Sequence, residues 1–236
     1  MCINEFAILF KDVYKLYDEK FMEILNMSSK FTTKKKLNNK RLSHGVSQNG
    51  DYEKVVSFNK KTTYSFRKTK YLIVGTLSPY EGRMNGYFYT SKNNEMFEYI
   101  DASCGSKNSL KELKDKLERH PKDWNTIKKI KKTLKKRKIA FLDVIKKAIA
   151  SKTSARDDDI CEYVLDYGSF RRINYEKVKI VANSKNAKTA LEHILDKIGK
   201  SEYKQNIELI PQKLRGYTSI YKTKNGLKNA WFKFLV

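Results

Sequence analysis

Two side chains in this sequence have the chemistry to position a water molecule. Asn94, in Lys92-Asn-Asn94-Glu95-Met-Phe97, carries an amide that both accepts and donates hydrogen bonds. Asp143 closes the apolar run Ile139-Ala-Phe-Leu-Asp143, where a carboxylate can orient water, hold a positive charge or cap the next helix. Both have structural alternatives. Asn94 suits the N-cap of a helix beginning near Glu95, and Asp143 suits a hydrogen bond to a neighbouring loop. Tyr80, Tyr87, Phe88 and Tyr89 form a dense aromatic group that could stack a planar ligand or fill a core. Asn183 offers a second amide, alternatively a turn former, and Lys185 a cation suited to a phosphate.

Four short apolar runs must position these residues. They are Tyr71-Leu-Ile-Val-Gly75-Thr76, Ile139 to Val144, Val178 to Asn183, and Ile207 to Pro211. Runs of this length, bounded by turn formers, suit strands buried on both faces of a parallel sheet. Helical periodicity falls between them, at 94–102, 107–118, 123–137, 158–167 and 186–199, with a last helix at 225–235. Alternating strands and helices predict a three-layer α/β/α fold around a mainly parallel four-stranded sheet. In such sheets ligands bind beyond the carboxyl ends of the strands. That is where Gly75, Asp143 and Asn183 stand, and Gly75 and Gly86 would let a ligand approach the backbone closely. Residues 71–236 are expected to form this domain, with a basic helical insertion at about 107–138. Residues 1–70 are expected to be an extension: an amphipathic helix over 4–27, a basic loop over 28–50, and a hairpin or irregular lead-in at 52–68.

Fifty Lys+Arg stand against 26 Asp+Glu in 236 residues, a net charge of +24. Such a chain attracts polyanions, and nucleic acid is the usual one, because each phosphate contact releases counterions. The run Lys128-Lys-Ile-Lys-Lys-Thr-Leu-Lys-Lys-Arg-Lys138 reads as a helix with Ile127, Ile130 and Leu134 inward. Lys128, Lys132 and Lys135 face outward without acidic partners, so a polyanion would relieve their repulsion. Cys2, Cys104 and Cys161 form no CxxC pair, and His44, His120 and His193 do not cluster. No metal and no small-molecule cofactor are therefore expected. No apolar run reaches the ~20 residues of a membrane span, and no signal peptide starts the chain. The expectation is a cytoplasmic, membrane-free monomer that binds DNA.

Gly75-Thr-Leu-Ser-Pro79 followed by Gly86-Tyr-Phe88-Tyr89-Thr-Ser-Lys-Asn-Asn94-Glu-Met-Phe97 resembles the first motif of the uracil-DNA glycosylase superfamily. The branch it resembles most is that of the mismatch-uracil and hypoxanthine-DNA glycosylases. Ile139-Ala-Phe-Leu-Asp143-Val144, Val181-Ala-Asn183-Ser-Lys185-Asn-Ala187 and Gly226-Leu-Lys-Asn-Ala230-Trp231 resemble further motifs in the family's order. The resemblance spans about residues 70–236.

The resemblance implies an enzyme that flips a base out of DNA and hydrolyses its N-glycosidic bond with water. In this frame Asn94 is the catalytic amide, and Asp143 assists as a second catalytic group. Tyr80, Phe88, Tyr89 and Asn183 hold the extruded base, Phe88 being the first choice for stacking. Lys185 and the helix lysines contact DNA, and Leu214, Arg215 and Tyr217 are the candidates for a wedge filling the vacated position. Two departures matter. Leu77-Ser78-Pro79 lacks the acid or amide that other branches keep there. The loop Ile210 to Ser219 is longer and more basic than the family's. The target base is therefore open: uracil or hypoxanthine in repair, or a modified cytosine of viral DNA in defence. The alternative is a non-catalytic nucleic-acid-binding protein on the same fold.

Overall fold

The structure is a computed structural model that describes residues 52–65, 67–105, 109–151, 160–211 and 223–236. The helix expected at 4–27, the loop at 28–50, the stretch 152–159 and the wedge candidates Leu214, Arg215 and Tyr217 lie outside the described residues.

In chain order the elements are β1 (Tyr52–Val56), a 3-10 turn (Phe58–Lys61), β2 (Tyr71–Gly75) and α1 (Tyr80–Asn85). Next come α2 (Met96–Ser103), α3 (Ser109–Arg119), α4 (Trp124–Lys136), β3 (Ile139–Asp143), β4 (Ile145–Ser151) and β5 (Ile160–Leu165). Then α5 (Tyr167–Arg171), β6 (Lys179–Ala182), α6 (Lys185–Lys197), a 3-10 turn (Ser201–Asn206), β7 (Ile207–Leu209) and α7 (Lys224–Leu235) complete the chain.

The four apolar runs form one parallel sheet in the order β3-β2-β6-β7. Every residue of β2 and β3 is buried, as strands covered on both faces must be. Side chains alternate between two cores. Tyr71, Ile73, Ile139, Phe141 and Val181 point to the face packed by α2, α3, α4 and α7, with Trp231 at its centre. Leu72, Val74, Ala140, Leu142, Ile180 and Ala182 point to the opposite face, covered by α5 and α6. The fold is thus the three-layer α/β/α architecture expected from the sequence.

The free edge of β3 is covered rather than left open. Asn59, Thr62 and Thr63 donate side-chain hydrogen bonds to the carbonyls of Asp143, Phe141 and Ile139. Exposed carbonyls on an edge strand would otherwise recruit another chain.

One sequence expectation is corrected. Among the described residues of the helix expected at 158–167, Ile160–Leu165 form β5, which pairs antiparallel with β4, and Tyr167 opens α5. Ile160, Val164 and Leu165 mimic helical spacing, but pairing with Ile145–Ala150 overrides local propensity. β1 pairs antiparallel with β4, making a second, three-stranded sheet in the order β1-β4-β5.

Candidate functional site

In the order β3-β2-β6-β7 the chain leaves β2 for one side and later returns to its other side. The switch point lies between β2 and β6, where doubly wound sheets open a crevice. Gly75 ends β2 there, and Asn183 follows β6. A Cβ added to Gly75 would lie 3.0 Å from the Tyr89 hydroxyl, 3.1 Å from Asp143 Oδ1 and 3.4 Å from Asn183 Nδ2. Three polar side chains from three segments therefore converge on a position that only glycine leaves open.

These side chains are locked. Asn183 Nδ2 donates to the Tyr89 hydroxyl at 3.0 Å. Ser78 Oγ reaches Asp143 Oδ2 at 3.5 Å, and Thr76 Oγ1 lies 3.3 Å from Ser184 Oγ across the switch point. Asn59 clamps Asp143 through its backbone, accepting from the Asp143 N–H at 2.7 Å and donating to its carbonyl at 2.8 Å. The same amide donates to Asp166 Oδ2 at 2.7 Å. Asp166 in turn caps α5 by accepting from Ser169 N at 3.0 Å.

Tyr89 has φ 55°, a left-handed conformation that costs a bulky residue of order 1–3 kcal/mol. The loop that carries it enforces this conformation. Asn85 Nδ2 donates to the Thr90 carbonyl, Thr90 Oγ1 donates to the Tyr87 carbonyl at 2.8 Å, and Lys92 N donates to Glu81 Oε2 at 3.2 Å. Burial, and then the nearby Asp143 charge, raises the Tyr89 hydroxyl well above the ordinary tyrosine pKa. Tyr89 is thus a neutral hydroxyl at any physiological pH.

Asn94 is buried in the turn leading into α2. Its Oδ1 accepts from Met96 N, the first residue of α2, at 2.9 Å, a local turn just ahead of the Glu95 N-cap. Its carbonyl accepts from the buried ammonium of Lys114 at 2.7 Å, and Lys114 also donates to the Lys92 carbonyl at 2.8 Å. Phe97, one residue into α2, stacks on Phe141 with centroids 6.1 Å apart, tying the Asn94 helix to the strand that ends in Asp143.

The remaining candidates fall elsewhere. Phe88 is fully buried between Phe58, Tyr87 and Phe141, and no face of its ring is open to a ligand. Tyr80 is half-buried at the start of α1, with the Arg83 guanidinium 5.6 Å from its ring centroid. Gly86 caps α1 in a left-handed conformation against Lys122 rather than lining the crevice. Lys185 is exposed as the first residue of α6, behind the Ser184 N-cap. Lys128, Lys132 and Lys135 are exposed on α4, whose Ile127, Ile130 and Leu134 are buried. Sequence reasoning missed Asn59, Ser78, Thr76 and Ser184. Small polar residues at strand ends give no periodic signal, and Asn59 reaches Asp143 from 84 positions away.

Among the described residues no group of three histidine, cysteine or carboxylate side chains is placed to hold a metal ion. No described helix is long and apolar enough to cross a membrane.

No family model matches the chain, and no curated protein matches it. Among solved structures, a solution NMR structure from Methanosarcina acetivorans, described as a candidate uracil DNA glycosylase, is similar to it. The two chains are 19% identical with a TM-score of 0.49, over 74% of this chain and 92% of that one. A likeness this distant carries no information on activity.

Proposed function

We propose that the protein is a monofunctional DNA glycosylase. It would extrude one nucleotide from DNA, hydrolyse the N-glycosidic bond and leave an abasic site. The observation that carries this reading is the convergence of Asp143, Asn183 and Tyr89 on Gly75 at the switch point of the sheet.

The chemistry asks for groups placed where charge develops. A water oxygen bonds to C1′ of the sugar while the C1′–N bond breaks. The bonding pair leaves with the base, which takes up a proton. Asp143 supplies the anion that steadies the cationic sugar or orients the water. The neutral Tyr89 hydroxyl holds the Asn183 amide, whose second N–H and carbonyl suit the edge of an extruded base. Asn94 positions water or base if its side chain leaves Met96 N on binding, since apo geometry tightens or rearranges with substrate. The surface lysines hold phosphates. Uracil or hypoxanthine is the proposed base. A modified cytosine of viral DNA, making this a defence enzyme, is the second candidate, motivated by the long basic loop after β7.

A non-catalytic nucleic-acid-binding role is the competing reading. It is favoured by two observations: Phe88 is sealed in the core, and Asn94 Oδ1 already accepts from Met96 N. The two readings separate on base release from duplexes holding uracil, hypoxanthine or modified cytosines, with abasic sites cleaved by mild alkali. Release that the Asn94→Ala variant loses supports the glycosylase and identifies its base. Salt-sensitive binding with no release from any duplex supports the binding protein.

A further inference from the structure

We propose that Trp124, with Lys61, Lys122 and Lys131, forms a second nucleic-acid contact that takes an unpaired polynucleotide strand, through residues other than those around Gly75. The chain has two tryptophans. Trp231 is 0% exposed in the core, whereas Trp124, the first residue of α4, is 61% exposed. A large indole left in water beside cations is the pairing that single-strand binders use: bases stack on the ring while ammonium groups take the phosphates.

The cations are placed, not scattered. Lys131, two turns along α4, sets its ammonium 5.9 Å from the Trp124 ring centroid. Lys61 donates to the Gly86 carbonyl at 3.0 Å and lies 4.8 Å from the Phe58 centroid, which fixes its head group. Lys122 donates its backbone N–H to the Asn85 carbonyl at 3.1 Å. Its stem packs on Gly86, so Lys61 and Lys122 meet at the same residue. Partial burial and the charges of Lys131 and Lys122 both push the Lys61 pKa down, the mark of like charges held close. None of the three forms an ion pair with a carboxylate among the described residues. A bound polyanion would relieve that repulsion. A duplex hides its base faces, whereas an unpaired strand offers a stackable base beside every phosphate, so the exposed indole next to cations favours an unpaired strand.

Because Trp231 is sealed, changes in tryptophan emission report on Trp124. Titrating the full chain with oligothymidylate should quench that emission. Trp124→Ala should weaken oligothymidylate binding about 5- to 100-fold, and change binding of an equal-length duplex less than twofold. Replacing Lys61, Lys122 and Lys131 together by Ala should lower the log–log salt slope for the single strand by about 2. An unchanged urea midpoint, read by Trp231, shows that each variant folds. Undiminished emission at saturation overturns the proposal. So does an equal loss of duplex and single-strand binding in Trp124→Ala, or equal quenching by polyglutamate. Oligothymidylate holds none of the bases proposed for release, so this contact stands or falls independently of the glycosylase reading.

Discussion

The crevice at the end of the four-stranded sheet and the outer face of α4 are built on opposite plans. Around Gly75, Tyr89, Asp143 and Asn183 are buried, with Asn183 hydrogen-bonded to Tyr89 and the Asp143 backbone to Asn59. On α4, Lys128, Lys132 and Lys135 stand in water and share one sign. In the proposed glycosylase the first region would depend on sub-ångström placement, as groups aimed at a transition state must. The second depends only on the sum of its charge, which acts at a distance and is screened by salt. Substitutions should therefore act sharply in one region and additively in the other.

The largest effect is expected at the carboxylate. Asp143→Ala should lower single-turnover base release by about 10²–10³-fold, with duplex affinity changed little. Gly75→Ala comes next. Its new Cβ would crowd the Tyr89 hydroxyl and Asp143 Oδ1, at 3.0 and 3.1 Å. Moving such groups by a fraction of an ångström should slow release roughly 10- to 100-fold, while thermal unfolding shifts by only a few degrees. If Gly75→Ala releases base at the wild-type rate, the convergence is not the site.

The α4 face should respond differently. Replacing Lys128, Lys132 and Lys135 by Ala should reduce the log–log salt slope of duplex binding by about 3 and leave urea stability within about 0.5 kcal/mol. A loss of release at low salt in that variant would erase the contrast between the regions.

Smaller effects test the support of the crevice. Asn59→Ala strips partners from the Asp143 N–H and the Asp166 carboxylate, and should cost about 1–3 kcal/mol in urea unfolding. Tyr87→Phe should be neutral or slightly stabilising, because the buried Tyr87 hydroxyl has no hydrogen-bond partner among the described residues. The buried Tyr87 and Tyr89 hydroxyls titrate above the ordinary value of 10.0, burial being the first cause for each. A raised folded-state pKa contributes stability that is full below the unfolded value and is lost as pH rises past it. Stability should therefore decline above about pH 10, and less steeply in Tyr89→Phe.

Much of the frame was legible in the sequence. The two central apolar runs, β2 and β3, are buried along their whole length, whereas β6 begins with the exposed Lys179 and β7 carries the exposed Glu208. Asp143 and Asn183 were legible because each is the first polar side chain after an apolar run. The β1-β4-β5 sheet was not legible. Its strands include exposed residues such as Val56, Tyr163 and Val164, and its order is set by partners nearly a hundred residues apart. Composition does not say how three adjacent aromatics are placed: Tyr87, Phe88 and Tyr89 are all buried, and the left-handed Tyr89 turns its hydroxyl to Asn183.

The most direct measurement is single-turnover base release from uracil, hypoxanthine and modified-cytosine duplexes by the wild-type chain and Asp143→Ala, with duplex binding measured for both. Alkali-labile abasic sites from the wild type on one of these duplexes, lost about 100-fold or more in a variant that still binds, is the predicted result. Wild-type chain that binds every duplex and releases no base would contradict it.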